Sequence, residues 1–142
     1  MRSVLFFSFL FLQFFCACKN SPDRSDTTQT SENDVDAARN FIRLALDGKY
    51  DRAREMVIND SLNYQFIDQA ERYYKQRMDI STRMAYRSAS INILSVVPQN
   101  DSVSIVHYSN SFKKQKDSLK VVNIHGQWMV DMKYSFPSTT GH

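Results

Sequence analysis

Residues 86–97 read YRSASINILSVV. Ala89, Ile91 and Ile93 alternate there with Ser88, Ser90 and Asn92. Alternation sends successive side chains to opposite faces of an extended chain, whereas recurrence at three and four residues lays them along one stripe of a helix. Before Met78 the apolar residues follow the helical spacing; after it they follow the strand spacing. The change of period near Met78 therefore divides the folded region into a helical part and a strand part.

Downstream, the sequence predicts four antiparallel strands. The first covers 86–97, and Pro98-Gln99-Asn100-Asp101 reads as the turn after it. The second covers 103–112 and is rich in β-branched and aromatic residues. Its phase slips between Ile105 and Val106, which predicts a bulge at that point. The run Lys113-Lys114-Gln115-Lys116-Asp117 is a polar hairpin loop. A third strand covers 119–124, His125-Gly126 is a tight turn, and a fourth strand covers 127–136. On that last strand Trp128, Val130, Met132 and Tyr134 share one inward face, while Asp131, Lys133 and Ser135 face water.

Upstream, Val35, Ala38, Phe41, Ile42, Ala45 and Leu46 form one apolar stripe, predicting a helix over 35–47. Asn33 or Asp34 can cap its start, and Gly48 stands where a left-handed C-cap is expected. A second helix follows over 51–59, broken by Asn59-Asp60-Ser61. Ser61 is the expected cap of a third helix over 62–79, whose Leu62, Phe66, Ile67, Ala70, Tyr73 and Tyr74 repeat at helical spacing. The fold class is thus α+β: three N-terminal helices packed on one face of a curved four-stranded antiparallel sheet. The ~100 residues over 35–136 suffice for one domain that buries somewhat over ~60% of its unfolded surface.

Two segments carry a family resemblance. Residues 38–56 have the form A-x-x-F-x-x-x-A-L-D-G-K-Y-D-x-A-x-x-M, and the chain closes on a His-Gly turn that opens G-Q-W-M-V. In that order they resemble the small lipoprotein domains of the nuclear-transport-factor-two-like, or cystatin-like, superfamily. The resemblance covers roughly 35–136 and implies a cone whose mouth opens between helices and sheet. Some members of the superfamily are enzymes and many are not, so the fold assigns no activity.

The N-terminus gives an address. Residues 4–17 are almost wholly apolar, interrupted only by Ser8 and Gln13, and Arg2 supplies a positive start. The run suits the apolar centre of a signal peptide and falls short of the ~20 residues of a spanning helix. It ends Phe14-Phe15-Cys16-Ala17-Cys18, which resembles the bacterial lipobox. Ala17 takes the small-residue place and Cys18 the place of the lipidated cysteine, although Phe15 and Cys16 depart from the usual residues. The competing readings are an ordinary secretory signal or an uncleaved apolar helix. Under the lipobox reading, residues 1–17 are a signal peptide and acyl chains on Cys18 are the contact with the membrane. Each buried methylene adds ~0.8 kcal/mol, so two or three chains hold firmly. Lys19 is not the aspartate linked to inner-membrane retention, so the resemblance implies an outer-membrane lipoprotein of the envelope, on its periplasmic or its surface side. Residues 21–34, SPDRSDTTQTSEND, contain no aliphatic or aromatic residue and complete a polar tether over 18–34. The last residues, 137–142, are expected to fray.

The net charge of +3 is too balanced to argue for nucleic acid. His107, His125 and His142 lie at no ligand spacing, no thiol remains after lipidation, and no metal or cofactor is expected. There is no glycine-rich phosphate loop. The candidate pocket residues are Tyr64, Tyr73 and Tyr74 on the third helix, with His107 and Asn123 on strands; Tyr108 and Asp131 are further polar strand positions. Tyrosines at helical spacing also suit a core with wet hydroxyls, and Asp131 suits the solvent side. Lys113, Lys114 and Lys116 form a basic loop, read as solvated or as a contact for acidic lipid or polysaccharide. Arg72, Lys75, Arg77 and Arg83 add positive charge near the end of the third helix. The favoured function is a non-catalytic accessory module that binds a small apolar ligand or an envelope protein, with the outer sheet face open to a partner or a second copy. The alternative is a small isomerase- or hydrolase-like enzyme using the cone pocket, with Tyr73, His107 or Asp131 handling protons.

Overall fold

A computed structural model describes residues 31–135. The expected signal peptide, Cys18, most of the tether, Phe136 and the C-terminal tail lie outside the described residues. The order of elements is α1 (Asp34–Asp47), α2 (Tyr50–Glu55), α3 (Ser61–Arg77), α4 (Ile80–Arg87), β1 (Ile91–Asn100), β2 (Val103–Asn110), β3 (Lys116–Ile124) and β4 (Gln127–Asp131). The strands form one antiparallel meander in the order β1-β2-β3-β4. The class is α+β, with four helices rather than three.

Helix α1 follows its sequence signals. Asn33 caps it by accepting from the Asp36 N–H at 2.9 Å. It ends at Gly48, whose φ of 74° is left-handed. The Gly48 and Lys49 N–H groups then satisfy the carbonyls of Ala45 and Leu44. Gly48 is required for a second reason: a Cβ there would stand 2.5 Å from the Tyr74 ring. Of the predicted stripe Ala38, Phe41, Ile42 and Leu46 are buried and Val35 and Ala45 half-buried, while Ala37 is buried beside them.

Helix α2 stops at Glu55, short of the expected 59. The chain instead extends along β4, where Val57 bridges Val130 in parallel. The Val130 N–H donates to the Met56 carbonyl at 2.7 Å, and Ile58 N–H donates to the Val130 carbonyl at 2.9 Å. Both backbone groups of an edge residue are thereby satisfied, which a longer helix would forgo.

Helix α3 is capped by Asp60, not Ser61. The Asp60 carboxylate accepts from the Asn63 N–H at 2.8 Å. Asn63 itself is fully buried and accepts from the Met132 N–H at 2.7 Å. It ties the start of α3 to the end of the sheet.

Helix α4 is the element that periodicity missed; the expected first strand began inside it. Asp79 caps it through the Thr82 N–H at 2.7 Å. None of its residues is buried, and Ile80 and Met84 are 71% and 66% exposed. Ile80 and Met84 face outward and Tyr86 alone of its large apolar residues turns toward the core, so there is no core-facing stripe to read. Arg43 of α1 holds the joint after it, donating to the carbonyls of Ala89 and Arg87 at 2.9 and 2.8 Å and pairing with Asp47.

In the sheet, Pro98 to Asn100 belong to β1, and the turn is Asp101–Ser102. Proline is tolerated because β1 is an edge strand. The bulge expected on β2 lies on its partner. Ile93 pairs Tyr108 and Ser95 pairs His107, leaving Leu94 extra, and a second irregularity leaves out Gln99. Ile105 and Val106 are both buried, on opposite faces: Val106 in the core, Ile105 between its neighbours Val97 and Lys120. The β3–β4 turn is as expected, with φ of 53° at His125 and 86° at Gly126.

The fourth strand ends at Asp131 and passes into a short 3-10 turn over Met132–Tyr134. The expected inward row therefore breaks. Val130 and Met132 are buried, Trp128 is half-buried, and Tyr134 is exposed. Asp131 does not face water. It is 7% exposed, pairing with Lys120 at 3.3 Å and Lys133 at 3.2 Å.

Candidate functional site

A cavity opens between the helices and the inner face of the sheet. Its inner chamber, about 160 Å³, is floored by Phe41, Ala45, Ile67, Leu119 and Met132 and rimmed by Tyr108, Asp117 and Ser135. An outer chamber of about 360 Å³ is lined by Phe66, Gln69, Tyr73 and Met78. The two share Tyr50, Ala70, Tyr86 and Lys113, so they adjoin. Of the α4 residues only Tyr86 lines it.

An aromatic chain runs beside the cavity, and its Tyr50 and Tyr86 line both chambers. Ring centroids are 5.6 Å apart for Tyr50 and Tyr74, 6.1 Å for Tyr74 and Tyr86, and 5.2 Å for Tyr86 and Phe112. The first and last of these pairs are edge-to-face, a favourable arrangement of ring quadrupoles.

The polar groups are few and specific. The Tyr108 hydroxyl donates to Asp117 at 3.2 Å, across a direct strand pair. The other Asp117 oxygen accepts from the Ser118 N–H at 2.8 Å. The Tyr50 and Tyr86 hydroxyls make no hydrogen bond among the described residues. Burial, then the nearby Asp117 charge, pushes the Tyr108 hydroxyl well above the ordinary phenol range. Burial also raises Tyr50, followed by the neighbouring Tyr86 and Tyr74, and it raises Tyr86, followed by Asp117. All three stay protonated and act as donors at any ordinary pH. Lys113 stands at the mouth and makes no ion pair among the described residues.

Of the five expected pocket residues, the structure brings one to the cavity. Tyr73 lines the outer chamber, 58% exposed. Tyr74 is buried within the aromatic chain, packed over Gly48, and lines neither chamber. Tyr64 lies under the Arg54 guanidinium, 5.0 Å from ring centroid to cation. His107 is on the outer face of the sheet, because its neighbour Tyr108 points inward. Its Nδ1 is 2.7 Å from Ser118 Oγ. Asn123 serves the hairpin turn, accepting from the Gly126 N–H at 2.9 Å. Asp131 is locked in ion pairs on the outer face, so the trio of Tyr73, His107 and Asp131 does not converge.

The residues that sequence reasoning passed over are Tyr50, Tyr86 and Asp117. Asp117 ends a run of lysines and reads as loop. Only the β2–β3 register, which sets it opposite Tyr108, turns it inward. Among the described residues no group of His, Cys, Asp and Glu is arranged to hold a metal ion. No protein-family model matches the chain, and no curated protein matches it.

Proposed function

We propose that this chain is an envelope lipoprotein, anchored at the outer membrane through acylated Cys18, whose domain is a non-catalytic binding module in a cystatin-like cone. The cavity takes one small ligand with an apolar body and a hydrogen-bonding head. The observation that carries the reading is the pairing of an apolar floor with unpartnered tyrosine hydroxyls. Such a pocket binds by excluding water from an apolar body and fixes its orientation with a few polar groups. Tyr50 and Tyr86 would donate to the head, Lys113 would add a cation at the mouth, and Asp117 would accept.

Mass spectrometry of the purified full chain tests this. A small molecule should be released on denaturation and should be absent from an Ala70→Trp variant, whose indole would obstruct the junction of the two chambers. An empty wild-type chain, with equal affinity of both chains for apolar probes, overturns the reading. The anchor is tested separately. Labelled palmitate should enter the chain and fail to enter Cys18→Ala; retained label removes the anchor.

One observation favours the second reading, a small isomerase- or hydrolase-like enzyme. Asp117 is a carboxylate facing a tyrosine hydroxyl in an apolar cavity, a pair suited to moving a proton and holding an oxyanion. Both of its oxygens are already engaged, and no histidine among the described residues stands at the cavity. If the co-purified molecule is turned over by the wild-type chain and only bound by Asp117→Asn, the enzyme replaces the binding module.

A further inference from the structure

Helix α4 is amphipathic in the inverted sense. Its inward side carries Tyr86, packed against Tyr74 and Phe112, and Arg83, whose guanidinium is 6.0 Å from the Tyr74 ring centroid. Ile80, Met84 and Arg87 follow at i, i+4 and i+7, so they form one outward stripe. Ile80 is 71% and Met84 66% exposed, the two most exposed large hydrophobic residues described. Tyr73 on the last turns of α3 and Phe112 on the adjoining hairpin loop extend the apolar surface.

Cations surround it. From Arg72 to Ser90 the chain carries Arg72, Lys75, Arg77, Arg83 and Arg87, against Asp79 alone. Asp79 is spent on the α4 cap, accepting from the Thr82 N–H and the Ser81 hydroxyl. Lys113 lines the outer chamber with Tyr73, Met78 and Tyr86, which brings the Lys113, Lys114 and Lys116 loop to the same end of the molecule. Glu71 is paired with Lys75, and Asp117 with the Tyr108 hydroxyl.

The geometry points to this end of the molecule as a docking face for an anionic lipid surface. Exposed apolar side chains ringed by arginine and lysine match the interfacial layer, where side chains enter the acyl boundary and cations meet headgroup phosphates. The chain's reach permits it. Asp34, where α1 begins, shares a hollow with Pro98, Gln99, Asn100 and Asp101, at the sheet end opposite the lysine loop. The strand between those ends, eight residues of β2, spans ~27 Å. Ser31 is buried and accepts from Asn40, so the reach is that of residues 19–30, which span at most ~43 Å. An anchor at Cys18 therefore allows α4 to lie against the same bilayer, with the cavity mouth turned toward the lipid. The face itself depends neither on the anchor nor on what fills the cavity.

Hydrogen exchange on the full chain reconstituted into vesicles tests the face, because it reads local protection rather than bulk attachment. Amides of 80–87 and 111–115 should exchange about five- to tenfold more slowly in vesicles containing one-third phosphatidylglycerol than in pure phosphatidylcholine. High salt should remove most of the difference, since exposed charges are screened within ~3 Å at 1 M. An Ile80→Glu, Met84→Glu double variant should lose the protection while its thermal melt and its exchange in α1 stay unchanged, because both side chains are exposed. Equal exchange in the two kinds of vesicle overturns the proposal. So does slowing that appears only when a soluble envelope protein is added, which would make the face a protein-binding surface.

Discussion

The two ends of the helical layer differ in what they do with apolar side chains. Where α1 and α2 cross β3 and β4, packing is complete. Leu46, Val57, Val121 and Val130 are at most 1% exposed, and the backbone of 56–58 hydrogen-bonds to β4. Where α3 runs into α4, the helices stand off the sheet. Tyrosines line a cavity there, and Ile80 and Met84 face solvent. The first end supplies the stability that lets the second keep a hollow and an apolar exterior. Function is drawn from the part of a fold that stability does not need.

That contrast can be broken by mutation. Leu46→Ala, at the packed end, should cost about 2–5 kcal/mol of unfolding free energy in denaturant melts, because the seam cannot collapse around the void. A cost under 1 kcal/mol would mean that the seam is as loose as the cavity. Gly48→Ala should follow, at about 2–4 kcal/mol, from the left-handed backbone and the overlap with Tyr74 together. Replacing Gly48 in a Tyr74→Ala background should recover the steric part of that loss.

The Asp60 ion pair sharpens the comparison through pH. Hydrogen bonds, first from the Asn63 backbone and then from Lys133, hold its carboxyl at about 2. Since the unfolded value is ~3.9, its contribution is present above that pH and is lost as pH falls toward 2. Asp60→Asn keeps the helix cap but removes the pair with Lys133. It should cost about 0.5–1 kcal/mol at pH 7, and the gap to the wild-type chain should close by pH 2. A gap that persists in acid would trace to the cap instead. Met84→Gln, at the open end, should change stability by less than ~0.5 kcal/mol. A larger loss would show that α4 buries Met84 after all.

The same contrast governs what could be read from the sequence. The α1 stripe, Gly48 and the His125-Gly126 turn announce themselves, because each is a local device with a fixed residue requirement. Helix α4 does not, because Ile80 and Met84 face solvent and carry no periodicity toward the core. Pro98 reads as a turn until its edge position is known. Asp131 reads as solvated by alternation, yet Lys120 and Lys133 enclose it, and those partners are fixed by register and by the 3-10 turn. The site was hidden for the same reason. Asp117 and Tyr108 meet across strands, and Tyr50 lines the cavity from the first residue of α2. Such placements depend on register and helix packing, which a single sequence leaves open.

The short bridge between Val57 and Val130 bears on how copies of the chain behave at close quarters. A four-stranded meander has two open rims, each a row of unpaired amides that could accept a strand from a neighbour. The bridge blunts the β4 rim from within the same chain. Pro98 and the irregularities at Leu94 and Gln99 blunt the β1 rim by removing a donor and bending the strand. Molecules held on one surface meet far more often than molecules in free solution, and accidental strand exchange between them would be hard to reverse. Both rims are thereby interrupted as templates for such exchange.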